Sequence, residues 1–179
     1  SCSLVGSEMC IRDRFYTPHQ VSVMMSDIIA HHLRDNEEIR IYDPTSGSGS
    51  LLINIGKSVA RHISDKNNIK YYAQELKQNT FNLTRMNLIM RGISPSNIEC
   101  RNGDTLAMDW PMFDESDPQG TYDPLYVDAV VSNPPYSQEW DPTDQENDPR
   151  YAPLAWHLRV APIMLSFCTT YTTSSLLVS

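Results

Sequence analysis

Positive charge is scarce in this chain. Its 179 residues carry 14 Lys and Arg against 22 Asp and Glu, a formal net charge of −8. That balance is wrong for a protein that grips a polyanion unaided, because such a grip comes from clustered Lys and Arg. The acid is concentrated from Asp109 to Asp128 and from Gln138 to Asp148, stretches rich in Asp, Glu and Pro that read as solvated loops. Cysteine is also sparse, with four residues (Cys2, Cys10, Cys100 and Cys168) that suggest no disulfide frame. None of the five histidines stands with cysteine or acid partners at ligand spacing, so no metal is assigned. His19, His31 and His32 read as helix-surface residues. No apolar run reaches membrane length, and neither a signal-peptide pattern nor an internal repeat is visible. These absences argue against a membrane span, a disulfide scaffold and a zinc module. They leave the expectation of one cytoplasmic domain, long enough to bury a real core.

The apolar run Val127-Asp128-Ala129-Val130-Val131-Ser132 has the pattern of a buried strand, and it runs straight into Asn133-Pro134-Pro135-Tyr136. Open α/β sheets bind ligands at the carboxyl ends of their strands. The two prolines lack N–H donors and fix φ, so the carbonyls there are rigid and cannot be drawn into a helix. An amide oxygen and a fixed carbonyl can both accept from one exocyclic amino group, while Tyr136 offers a stacking face. The combination suits a planar amine held still.

Upstream, Ile39-Arg40-Ile41-Tyr42 is a short strand candidate. It is followed by Asp43-Pro44-Thr45-Ser46-Gly47-Ser48-Gly49-Ser50 and an apolar helical stretch from Leu51 to Val59. Strand, glycine turn and helix form a nucleotide-cradling unit, in which glycine admits close backbone approach and the helix N-terminus offers free N–H groups. The dinucleotide fingerprint fails because Leu52 stands at its third glycine. The phosphate-binding loop fails because Leu51 stands five residues before Gly56-Lys57-Ser58. An ordinary strand-to-helix turn is the alternative reading. Ile69 to Glu75 reads as a second strand tipped by a carboxylate, where ribose hydroxyls are held in doubly wound folds; a solvated glutamate is the alternative. Asn79 to Arg91 reads as a helix with Phe81, Leu83, Met86, Leu88, Ile89 and Met90 on a broad apolar face and Gly92 as its stop. Ile98-Glu99-Cys100-Arg101 is a third strand leading to Asn102-Gly103-Asp104. Near the start, Thr17 and Pro18 read as cap and first-turn proline of a helix with Val21, Met24, Met25 and Ile28 on one face.

Taken in order, Phe15-Tyr16-Thr17-Pro18, the Asp43-to-Ser50 loop, Gln74-Glu75, Asn102-Gly103-Asp104 and Asn133-Pro134-Pro135-Tyr136 resemble the N6-adenine DNA methyltransferases that form the modification subunit of type I restriction–modification systems. The likeness spans roughly Phe15 to Pro153. It implies an α/β, Rossmann-like doubly wound sheet, here truncated, that binds S-adenosylmethionine. It further implies a cofactor pocket lined by Phe15, Tyr16, Thr17, Pro18, Asp43, Gly47, Ser48, Gly49, Ser50, Glu75 and Asp104. Asn133, Pro134, Pro135 and Tyr136 then receive a flipped adenine. The implied partners are DNA, a DNA-specificity subunit and a restriction subunit, and the acidity fits a catalytic subunit whose grip on DNA is supplied by others. Two alternatives stand beside this: an Asn-Pro-Pro-Tyr enzyme acting on a protein glutamine or RNA base, and a non-catalytic scaffold that keeps the cofactor fold.

Residues 1–14 show no helical or strand period and resemble translated adapter DNA. Residues 154–179 show no relation to the family, and a one-base shift of frame near His157 permits a string that does resemble it. The expected organisation is a non-native head at 1–14, a catalytic-domain fragment at 15–153 and a frame-shifted tail at 154–179. On that reading Cys100 is the native cysteine, a small buried strand hydrophobe. The sheet would hold four of its strands, with a bare edge beyond the fourth, and the chain as it stands would be poorly folded and inactive.

Overall fold

The computed structural model describes residues 17–63, 65–106, 125–134 and 176–178. Helix α1 spans His19–His32 and is followed by strand β1, Ile39–Asp43. Helix α2 is Ser50–Val59, strand β2 Ile69–Glu75 and helix α3 Gln78–Met90. Strands β3, β4 and β5 are Ile98–Asn102, Ala129–Val131 and Leu176–Val178. All pair in parallel in the order β3-β2-β1-β4-β5. The order reverses between β1 and β4, and a crevice at the carboxyl ends of those two strands is where an open α/β sheet takes its ligand.

Period-two alternation along the strands divides the core between the two faces of the sheet. Ile39, Ile41, Ile69, Tyr71, Ala73, Ala129 and Val131 pack with Met25 and Ile29 of α1, Leu52, Ile55 and Val59 of α2, and Leu88 of α3. Tyr42, Tyr72, Val127 and Val130 cluster on the other face. Burying one such aliphatic side chain contributes roughly 1.5–3 kcal/mol. At Gly56 of α2 a Cβ would lie within 2.8 Å of the Tyr71 ring, so the absent side chain sets how closely this helix meets the sheet.

Several expectations are corrected here. In α1 the buried stripe is Ser22, Met25, Ser26, Ile29 and Ala30, while Val21, Met24 and Ile28 are exposed. The small residues let α1 lie against α2, where Asn54 Nδ2 donates to Ser22 Oγ at 2.7 Å. Pro18 itself is the N-cap residue of α1 and makes no side-chain cap hydrogen bond, so Thr17 is not the cap. In α3 only Thr84 and Leu88 are buried, and Leu83, Met86, Ile89 and Met90 face outward. The edge beyond β4 is not bare: Leu176–Val178 pairs with it in parallel, within the stretch expected to be a foreign tail. A short apolar run ending in a β-branched residue is compatible with a strand wherever a partner edge is offered. Cys100 is half-buried rather than buried, and packing against the core pushes its thiol up to about 11.

Candidate active site

Asp43 ends β1 fully enclosed. Its Oδ1 accepts from Thr45 N–H at 3.0 Å, and its Oδ2 has no hydrogen-bond partner among the described residues. Burial, aided by the negative charge of Glu75, pushes its carboxyl from 3.8 up to about 7. An isolated buried carboxylate is costly, so this group either holds a proton or awaits a cation.

The glycine loop crosses above it. Gly47 and Gly49 take φ values of +56° and +76°, a left-handed backbone that residues with a Cβ adopt only with strain. Gly49 is the N-cap residue of α2, with Ser50 as the first helical residue. A Cβ at Gly49 would lie 3.2 Å from Thr84 Cγ2, so this glycine serves packing against α3 as well as the turn. At Gly47 a Cβ would meet nothing nearer than Thr45 O at 3.9 Å.

Glu75, at the tip of β2, is engaged by this loop: its Oε2 accepts from Gly47 N–H at 2.9 Å and its Oε1 from Lys77 N–H at 3.1 Å. Asn102 Nδ2 donates to the carbonyls of Glu75 and Leu76 at 2.8 and 3.0 Å, and Gly103 N–H donates to Glu75 O at 3.1 Å. Asp104 closes a local turn by accepting from Leu106 N–H at 2.9 Å. Its neighbour Thr105 donates to Pro44 O at 2.6 Å, which ties this tip to the glycine loop.

The end of β4 stands on the other side of the topological switch. Ser132 Oγ lies 2.9 Å from Thr45 Oγ1, and Asn133 Nδ2 donates to Thr17 Oγ1 at 2.9 Å. Asn133 and Pro134 are both half-buried. The fold therefore brings Thr17, Asp43, Gly47, Ser48, Gly49, Ser50, Glu75, Asp104, Asn133 and Pro134 to one edge of the sheet. Pro18 lies beside them as the exposed start of α1, its carbonyl accepting from Ser22 N–H at 3.0 Å. Phe15, Tyr16, Pro135 and Tyr136 lie outside the described residues.

Sequence reasoning missed the residues that hold the loop in shape. Thr84 donates to Gly47 O at 2.6 Å and Asn87 Nδ2 to Ser48 O at 2.9 Å, from positions three apart on α3. Thr45 and Ser132 join the two strand tips. The available signal was the polar pair Thr84 and Asn87, which share a helix face by their spacing. Among the described residues no group of three or more His, Cys, Asp and Glu side chains is arranged to hold a metal, and no helix is long and apolar enough to cross a membrane. A shallow groove on α1, lined by Gln20, Met24, Ile28 and His31 among others, contains none of the site residues.

Comparison with known proteins shows the family and the fold. The sequence profile of the family described as N-6 DNA Methylase matches residues 10–163. The chain is 35% identical over 127 residues to the type I restriction enzyme MpnII methylase subunit of Mycoplasma pneumoniae, covering 70% of this chain and 22% of that relative. It is 30% identical over 139 residues to the type I restriction enzyme MjaIX methylase subunit of Methanocaldococcus jannaschii, covering 76% and 22%. The crystal structure of the type I restriction-modification system methyltransferase subunit from Streptococcus thermophilus superposes with a TM-score of 0.73 at 32% identity, over 91% of this chain and 33% of that one. That likeness bears out the Rossmann-like methyltransferase fold. The chain spans about a fifth (22%) of the length of these curated relatives.

Proposed function

The chain belongs to the N-6 DNA Methylase family, and from that premise we propose that the protein transfers a methyl group from S-adenosylmethionine to N6 of adenine in DNA, as the catalytic subunit of a type I restriction–modification system. The observation that carries this reading is Asn133 at the carboxyl end of β4, across the topological switch from the Asp43-to-Ser50 loop and tied to Thr17.

When bound, S-adenosylmethionine supplies an electrophilic methyl group on a sulfonium. The residues fit such a ligand, because the buried oxygen of Asp43 that has no partner among the described residues suits a cationic molecule and Gly47 leaves the space of a side chain open. Glu75 has acceptor capacity beyond its two backbone donors for ribose hydroxyls. Asn133 Oδ1 and the Pro134 carbonyl accept the two hydrogens of the adenine amine and hold its lone pair toward the methyl group. With the cofactor bound, its methyl group would pass from sulfur to N6, and the proton that N6 then sheds would leave to solvent. No activated nucleophile is required, and the rate comes from alignment and electrostatic preorganisation.

Adenine within a duplex cannot reach such a site, so the base is extruded, with Tyr136 stacking on it. The net charge of −8 supports a division of labour in which a DNA-specificity subunit supplies the grip, beside a restriction subunit, in the cytoplasm. A protein glutamine, an RNA base or a purely structural role has no observation of its own in its favour. Nucleoside mass spectrometry of DNA treated with the assembled enzyme tests the reading: N6-methyladenine is expected, and methylation confined to protein or RNA would refute it.

A further inference from the structure

The hydrogen bond between Asn133 and Thr17 joins residues 116 positions apart, and both precede a proline. A residue before proline is confined to extended backbone, so neither main chain readily drifts. The asparagine side chain is less constrained. Its amide has two orientations that exchange Oδ1 and Nδ2. One presents an acceptor to an incoming amine; the other presents an NH2 group, donor against donor. An acceptor amide works only if the structure selects the first.

In the structure the Thr17 hydroxyl, which can donate or accept, accepts from Nδ2 and so holds the first orientation. It caps no helix, because Pro18 is the N-cap residue of α1 and no side chain bonds to the helix start. Instead Oγ1 receives the Asn133 Nδ2 donor at 2.9 Å, which turns Oδ1 to the far side of the amide. Threonine is β-branched and stiff at χ1, which suits a fixed acceptor. The preceding residue, Ser132, is held to Thr45 of the glycine loop at 2.9 Å, so the end of β4 is secured at two successive positions from two different elements.

We infer that Thr17 is a positioning residue, whose hydroxyl fixes the Asn133 amide in the orientation that accepts the target amine. This inference rests on the proposed adenine methylation. It departs from the sequence expectation that Thr17 lines the cofactor pocket, and the two roles have different kinetic signatures.

The test is carried out on the assembled enzyme with Thr17→Val, which keeps the shape and removes the hydroxyl, and with Thr17→Ser, which restores it. Thr17→Ala serves as a second hydroxyl-free variant should the valine disturb folding in a thermal melt. Without the hydroxyl, single-turnover methyl transfer should fall roughly 10- to 100-fold. Cofactor affinity by calorimetry and KM for DNA should stay within about twofold, the pattern of an interaction that matters only in the transition state. Thr17→Ser should recover most of the rate. Adding Thr17→Val to Asn133→Ala should cost nothing further, because the two act as one unit. Parent rates in both hydroxyl-free variants, weaker cofactor binding at an unchanged rate, or additive losses in the double variant would overturn the inference. A parent enzyme that methylates no adenine would instead overturn the underlying reading of the site.

Discussion

Gly47 and Glu75 meet across 28 positions, the loop N–H donating to the carboxylate at 2.9 Å. The same carboxylate receives Lys77 N–H at 3.1 Å. The acid at the tip of β2 thus shapes the glycine loop before any ligand arrives, and the residue expected to hold a ribose is also the latch of the cradle.

Glu75→Gln keeps one oxygen acceptor and replaces the other with an NH2 group, so one of the two backbone N–H groups faces a donor. Hydrogen bonds to charged groups contribute about 1.5–3 kcal/mol, so cofactor affinity measured by calorimetry should weaken at least tenfold. The melting temperature should fall with it. Unchanged affinity would show that the latch is dispensable.

Asp43 makes the apo protein sensitive to pH. Its carboxyl is raised from 3.8 to about 7, mainly by burial and further by the Glu75 charge, against the lowering effect of the Thr45 N–H. Below the ordinary value both folded and unfolded chains carry the proton. Between 3.8 and about 7 the unfolded chain releases it and the folded one keeps it, so stability falls as pH rises and levels off above 7. Denaturant midpoints measured from pH 5 to 8 should show that decline, and Asp43→Asn should flatten it. A cationic ligand favours the ionised carboxylate, so cofactor affinity should rise as pH approaches 7 in the parent and not in Asp43→Asn. An equal slope in both proteins would contradict the assignment.

The two loop glycines should differ under substitution. Alanine at either meets the left-handed backbone, a strain of roughly 1–2 kcal/mol. Only at Gly49 does the new Cβ also press on Thr84, at 3.2 Å. Gly49→Ala should therefore melt lower than Gly47→Ala, and a reversed order would contradict the packing argument. Gly49→Val should disturb the α2–α3 contact as well as the ligand site, which makes Gly47→Ala the cleaner probe of ligand approach.

The strand tips were legible in the sequence because each combines a short apolar run with an acid or amide at its end, beside glycine or proline at Asp43, Asp104 and Asn133 and following Gln74 at Glu75. Helix existence was legible too, with α2 and α3 within one residue of their expected bounds. The buried faces of α1 and α3 were not. Hydrophobic periodicity pointed to Met24, Ile28, Met86 and Met90, whereas the sides turned inward carry Ser22, Ser26 and Thr84. Small and polar residues win those positions because they allow close helix contact and bind the glycine loop, and periodicity weighs neither. The Thr17–Asn133 bond is a tertiary fact joining distant segments, and no local pattern encodes it. β5 was missed because its three residues offer too short a run to separate from its surroundings.

In the proposed mechanism Asn133 acts on the target amine and not on the cofactor. Transfer of tritiated methyl groups onto unmethylated DNA, by the assembled enzyme and its Asn133→Ala variant, tests it when run beside calorimetry of S-adenosylmethionine binding. The transfer rate should fall by about 10²–10³, the scale of removing one preorganised hydrogen-bonding group, with cofactor affinity nearly unchanged. Transfer at the parent rate by Asn133→Ala would contradict that role.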